Sequence, residues 1–172
     1  PDDPDTALKQ LAEYISASLS TGEPRSEAFE ATALEYAGLI GAALARRMLE
    51  TPMDQAGWFT PDGDEAAGVA PSLYYGSAGL ALFLAYLSAL QPDEQIRWAA
   101  EQAAEHALAA GRDGAGIGAF QGQAGLVYLL THLHSLWGGT RWLDRAVEVS
   151  RHLDPLVDAD RAFDVLAGSA GV

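Results

Sequence analysis

A glycine pair that returns at a fixed interval limits this chain more than any other feature. It appears in "SLYYGSAGLALFLAYL" as Gly76 and Gly79, in "AFQGQAGLVYLLTHL" as Gly122 and Gly125, and in "DVLAGSAGV" as Gly168 and Gly171. From Gly76 to Gly122 is 46 residues, and from Gly122 to Gly168 is again 46. Each pair stands just ahead of an apolar run, where a glycine costs less than in mid-helix and lets neighbouring backbone come close. A period of this length, one apolar segment per turn, is the mark of a helical-hairpin repeat.

The segments between the glycines agree. Alanine and leucine dominate and β-branched residues are few, which favours helices over strands. The spacing predicts a first helix over about Thr6 to Ser20 and a longer one over about Ser26 to Glu50, followed by a proline- and glycine-rich loop up to Pro71. Ser77 to Leu90 is apolar on almost every side and calls for cover around most of its circumference. After "QPDEQ" comes an amphipathic helix with Ile96, Ala99, Ala100, Ala103 and Ala107 in one stripe. The cycle repeats with an apolar helix over Gln123 to Trp137 and an amphipathic one over about Arg141 to Leu153. A third cycle opens at Asp164 and reaches Val172 inside its first turn. The fold class is all-α, with an inner apolar layer and an outer wetted one. Period alone leaves open whether such hairpins stack as a solenoid or close as an α/α toroid.

Composition removes several functions. The net charge is -14, from 24 acidic and 10 basic side chains, so a nucleic-acid backbone or an anionic membrane surface would be repelled. There is no cysteine, hence no disulfide and no thiolate metal site. No basic segment precedes an apolar one, and the longest apolar stretch, Leu80 to Leu90, is too short to cross a bilayer. The expectation is a cytoplasmic protein with no transmembrane segment.

Few residues stand out for chemistry. His132 and His134 are two apart and diverge by about 200° on a helix, so they cannot chelate one ion. His106 and His152 fall on the outer helices, and all four histidines read as structural or surface groups. Gly114, Gly116 and Gly118 follow no strand and form a turn rather than a dinucleotide loop. Asp62 and Asp64 lack the further ligands of a calcium loop. Asp154, Asp158 and Asp160 read as a solvated acidic turn. Asp164 differs from these. It lies four residues before Gly168, where the sibling positions hold Ser72 and Gly118, and Phe163, Val165 and Leu166 flank it. It could serve as an electrostatic or proton-transfer group, or simply as an acid complementing a helix N-terminus. The six glycines read first as packing and turn residues, and second as helix ends that leave amides uncovered around a central cavity.

These residues carry a family resemblance. "LYYGSAGLALFLAYL", "GAFQGQAGLVYLLTHLHSLW" and "FDVLAGSAGV" resemble, in order, the inner-helix motifs of the lanthionine synthetase C-like family. They are most similar to the cyclase domain of class II bifunctional lanthipeptide synthetases. The resemblance spans about Ala33 to Val172, leaving 1–32 as a helical linker region. It implies a double-layered α/α toroid and a carbon–sulfur bond-forming enzyme of bacterial lantibiotic biosynthesis. In such an enzyme, zinc-bound peptide cysteines add to dehydroalanine or dehydrobutyrine and close thioether rings. It implies for Asp164 the acidic active-site position of the D-V-x-x-G motif, and for Gly76, Gly79, Gly122, Gly125, Gly168 and Gly171 a place lining the cavity. It implies a precursor peptide as substrate, an upstream dehydratase domain, and zinc ligands in a second half of the toroid. On that reading this chain is the N-terminal half of the domain and inactive by itself. The alternative is a non-catalytic helical-repeat module that binds a peptide or protein. An unrelated toroid enzyme, such as a glycosidase or terpene cyclase, would need paired carboxylates or an aspartate-rich metal motif on the inner helices.

Counting ligands yields a test. A zinc site takes about three or four protein ligands, and four histidines at non-chelating spacing do not supply them. Equilibrium dialysis of the 172-residue chain against zinc, followed by elemental analysis, should find no stoichiometric metal. One tightly held zinc per chain would overturn the ligand count.

Overall fold

A computed structural model of the chain describes Thr6, Lys9, Gln10, Ala12, Glu13, Ser16 and Ala17, and residues 27–54, 69–111 and 116–172. Asp62, Asp64 and Gly114 lie outside the described residues, as does most of the loop before Val69. The chain divides into two units, Pro1–Glu50 and Thr51–Val172. The first holds helix α1, Glu27–Glu50, and the described residues before it are helical too, with Tyr36 Oη donating to Gln10 Oε1 at 3.2 Å.

The second unit carries the repeat. It consists of α2 (Ser77–Leu90), α3 (Glu94–Ala110), α4 (Gln123–Trp137), α5 (Arg141–Ser150), α6 (Leu153–Ala159) and a 3-10 turn at Ser169–Gly171. Helix α2 packs on α3, α4 packs on α5, and α2 lies beside α4. Two hairpins therefore stand side by side, α2 and α4 forming one layer and α3 and α5 the other. The stripe on α3 is almost wholly alanine, with Ala99, Ala100, Ala103, Ala104 and Ala107 fully buried, so the two helix axes can approach closely. Leu84, Leu129, Leu130 and Leu133 fill the remaining core.

Helix starts differ between the layers. In α3 the Asp93 side chain caps the amides of Gln95 and Ile96 at 2.8 and 3.0 Å. In α2 and α4 the cap residues are Gly76 and Gly122, which offer no side chain. The preceding loop does the capping instead. Ser77 N donates to Ala70 O and Gln123 N to Gly116 O, both at 2.8 Å, and Gly79 N and Ala124 N reach Ser72 O and Ile117 O. The sequence suggested uncovered amides at these ends, and the structure corrects that: carbonyls one loop upstream occupy them. The cap glycines are needed for room, not for a left-handed backbone, since both have φ of -134°. A methyl group at Gly122 would fall on the Gly116 carbonyl oxygen and the Gly118 amide.

Two further expectations change. Helix α2 is not covered all round: Phe83, Tyr86 and Leu90 are exposed along one face, because α3, α4 and the loops pack only on its other sides. The helix over Arg141 to Leu153 breaks at Arg151 and His152 and restarts as α6. Pro155 has no amide for the Arg151 carbonyl and its ring crowds that oxygen, so the helix cannot run through. The last turn tightens, with His152 N on Val149 O at 3.0 Å.

Between the outer helices, Arg141 pairs with Glu105 at 2.6 Å, Arg145 reaches Glu105 and Glu148, and Arg97 pairs with Glu101. These pairs are solvated and contribute little each. His106 does more. Its Nδ1 meets the fully buried Ser77 Oγ at 3.0 Å, while that hydroxyl donates to Ala70 O at 3.3 Å, so the outer helix holds the first turn of α2. Burial pushes the His106 imidazole below its ordinary pKa, opposed by the Asp54 charge.

Urea unfolding tests the close backbone approach at Gly122. Gly122→Ala must displace backbone and should cost at least about 2 kcal/mol. Gly116→Ala, whose new methyl would meet only Ala167 O at 3.5 Å, should stay within about 0.5 kcal/mol of the parent. Equal stabilities for the two variants would contradict the close-approach account.

Candidate functional site

The three glycine-bearing loops come together. Leu73 N and Tyr74 N donate to Phe120 O at 2.9 and 3.3 Å, and Phe120 N and Gln121 N donate to Leu166 O at 3.1 and 3.0 Å. Tyr74, Phe120 and Leu166 are equivalent positions, 46 residues apart in turn. The loops thus stack in register, each donating to the next, and Gly118 N adds a bond to Ala167 O at 3.1 Å. Gly76, Gly122, Gly125 and Gly168 are buried at these junctions, and Gly79 and Gly171 are partly so.

Asp164 sits in the third loop. Its Oδ1 accepts from Ala167 N at 2.7 Å, which is the bond that Ser72 Oγ makes with Tyr75 N at 3.3 Å in the first loop. The carboxylate therefore shapes its own turn and does not sit at a regular helix start. Among the described residues nothing bonds Oδ2. Phe163, Val165 and Leu166 flank it but are themselves exposed, so Asp164 stands at an open surface and not in an apolar pocket.

Sequence reasoning underrated Asp160. Its Oδ1 accepts from Ala162 N at 3.0 Å, and its Oδ2 from Phe163 N at 3.0 Å and Ser169 N at 2.8 Å. Beyond being a solvated turn residue, it organises the third loop through these bonds; Asp154 and Asp158, on α6, are exposed. These donors, the Ser169 amide foremost, hold the Asp160 carboxyl well below the usual carboxylate range. The signal was present as an aspartate two and three residues before the amides it caps. Phe163 beside it has φ of 51°, unfavourable for a residue with a side chain, and is the one described non-glycine residue with positive φ.

The open face of the inner layer carries a second group. Tyr86 on α2 and His132 on α4 occupy the same repeat position, and Tyr86 Oη meets His132 Nδ1 at 2.5 Å. Tyr128, one turn earlier, lies against the imidazole with centroids 4.2 Å apart. Both tyrosines are exposed, and Phe83 extends the face. The contact joins the two inner helices through their side chains at the same repeat position. The sequence read His132 as a structural or surface group, and its shared register with Tyr86 was the sign of which face it occupies. His134 points elsewhere, Nδ1 against Gly139 O at 2.7 Å in the turn formed by Gly138 and Gly139. His152 meets Glu148 O at 2.9 Å. Among the described residues no three histidine, aspartate or glutamate side chains gather as a metal site.

A cavity of about 250 Å³ opens between the layers, lined among others by Leu126, Val149, Arg145, Glu148 and His152. Its arginine is already paired with Glu105 and Glu148.

The sequence profile described as lanthionine synthetase C-like protein matches residues 69–172, from the first glycine loop to the third. No curated protein and no solved structure matches the chain.

Acid titration tests the Asp160 network. A carboxyl whose folded pKa is depressed contributes stability that is present above the unfolded value of about 3.9 and lost as pH falls through the folded pKa. The parent chain should therefore lose part of its urea resistance between about pH 4 and pH 2. Asp160→Ala should be less stable at pH 7 and show a shallower loss over that window. An unchanged acid slope would remove Asp160 from the loop's support.

Proposed function

The chain belongs to the lanthionine synthetase C-like family, and from that premise we propose that it forms part of the wall of a lanthipeptide cyclase. The finer reading is the cyclase domain of a class II synthetase, acting on a dehydrated precursor peptide in the cytoplasm. A cysteine thiol of the peptide adds to the β-carbon of a dehydroalanine or dehydrobutyrine. The thiol gives up its proton, the carbon–sulfur bond forms, and the resulting enolate takes a proton at the α-carbon. A carboxylate near the reacting groups can hold or orient the partner that moves these protons.

Asp164 is the residue assigned to that task. The stacked loops carry the reading: they fix Asp164 at the edge of the inner layer with Oδ1 used by Ala167 N and, among the described residues, no partner on Oδ2. The glycine loops, Gly76 through Gly171, would form the rim of the peptide cavity, and the Tyr86, Tyr128 and His132 face would form its wall. Exposed aromatic faces suit an uncharged peptide segment better than an anion. The chain's own residues do not fit zinc. It has no cysteine, and its described histidines each serve another contact. Zinc held by residues outside this chain would bind the substrate sulfur as thiolate.

A second reading, a non-catalytic peptide-binding module, rests on that same aromatic face and the missing ligand set. It predicts peptide binding without dependence on Asp164.

The deciding experiment replaces Asp164 by asparagine in the complete cyclase and follows free thiols on a dehydrated peptide. Asparagine keeps an oxygen for Ala167 N, so the loop is retained. Ring formation should slow by about 100-fold or more with peptide affinity little changed. An unchanged rate would remove Asp164 from the mechanism.

A further inference from the structure

The cavity between the layers occupies a place in the repeat that the first hairpin closes. Gln123, Leu126, Arg145, Val149 and His152 line it, and their equivalents 46 residues earlier are Ser77, Leu80, Ala99, Ala103 and His106. In the first hairpin Ser77, Ala99 and Ala103 are fully buried, and His106 Nδ1 meets Ser77 Oγ at 3.0 Å. The second hairpin does not make that contact. Helix α5 has 10 residues where α3 has 17, and past its end His152 turns Nδ1 to Glu148 O at 2.9 Å. Arg145 and Val149 replace two alanines, and a space of about 250 Å³ remains among the groups that would otherwise have met.

The chemistry of those groups defines what would fill it. A carbonyl only accepts, so His152 Nδ1 carries the ring proton and Nε2 of the neutral imidazole is an acceptor. Among the described residues nothing bonds the Gln123 side chain, whose amide both donates and accepts. Arg145 is balanced by Glu105 and Glu148 at 3.9 and 3.4 Å, and a guanidinium has more N–H groups than these two contacts use. Leu108 and Leu126 are buried and, with Val149, supply an apolar wall.

We infer that this cavity binds a small uncharged amide bearing one branched apolar group. The amide N–H would donate to His152 Nε2, its carbonyl would accept from Arg145 or Gln123, and the alkyl group would lie on Leu108, Leu126 and Val149. Both halves of the ligand then find partners, as a buried polar group requires. An anion gains little from an arginine already paired, and a chain of net charge -14 repels it. A cation would face the Arg145 guanidinium, with Glu148 already engaged by it. The site uses neither Asp164 nor the aromatic face, and it does not depend on the cyclase reading.

Isothermal titration calorimetry of the chain at neutral pH tests it with three probes that share a leucine side chain: N-acetyl-leucinamide, which is neutral, N-acetyl-leucine, an anion, and leucinamide, a cation. The neutral probe should saturate one site per chain, and each charged probe should bind at least about tenfold more weakly. Val149→Trp, which fills the cavity, should lower the affinity for the neutral probe at least about tenfold. His152→Ala, which removes one acceptor, should lower it about fivefold. Far-UV circular dichroism checks that the fold is kept, and Val149→Phe replaces the tryptophan variant if that one loses helicity. No saturable binding of the neutral probe, equal affinity for all three probes, or unchanged affinity in either variant would each overturn the proposal.

Discussion

The register of the second unit is set by a few amide-to-carbonyl bonds between loops. Leu73, Tyr74, Phe120 and Gln121 reach across to the next loop, and each loop also folds back to cap its own inner helix. Both sets of bonds need backbone to approach backbone, and glycine at positions such as 76 and 122 supplies the space. Net, one such bond contributes about 1 kcal/mol. Its larger effect is on register. With the loops locked one repeat apart, α2 and α4 must lie side by side at equal height. Tyr86 then meets His132 without any further instruction.

This arrangement explains why parts of the structure were legible from sequence and others were not. The apolar and amphipathic alternation announced α2 to α5 with almost their true limits, because burial of leucine and alanine stripes dominates helix packing. The class, all-α hairpins in two layers, followed from the same pattern. The loop stack was hidden, since backbone bonds leave no mark in side-chain identity beyond the glycines that permit them. Asp160 was hidden for a related reason: its partners are the amides of Ala162, Phe163 and Ser169, groups every residue carries. Pro155 was visible and did break the helix, yet a stripe of Trp142, Ala146, Val149 and Leu153 argued for continuity.

Asp164 shows how a repeat can be put to a new use without disturbing its frame. The first loop holds its turn with the Ser72 hydroxyl, and the third does so with one oxygen of a carboxylate. The substitution keeps the turn and adds a charge and a spare oxygen. Scaffold and chemistry are thereby separable at one residue, because Oδ1 answers to the fold and Oδ2 does not.

Phe163 points the other way. Its backbone is left-handed at φ of 51°, a conformation glycine adopts freely and phenylalanine resists. Its ring is 67% exposed and adds little to the core. The counterparts Pro71 and Ile117 have no such backbone. By the accounting of the fold alone, glycine would serve position 163 better. The turn that carries Asp164 is therefore held against local preference by the Asp160 carboxylate, which grips the Phe163 and Ser169 amides on either side of it.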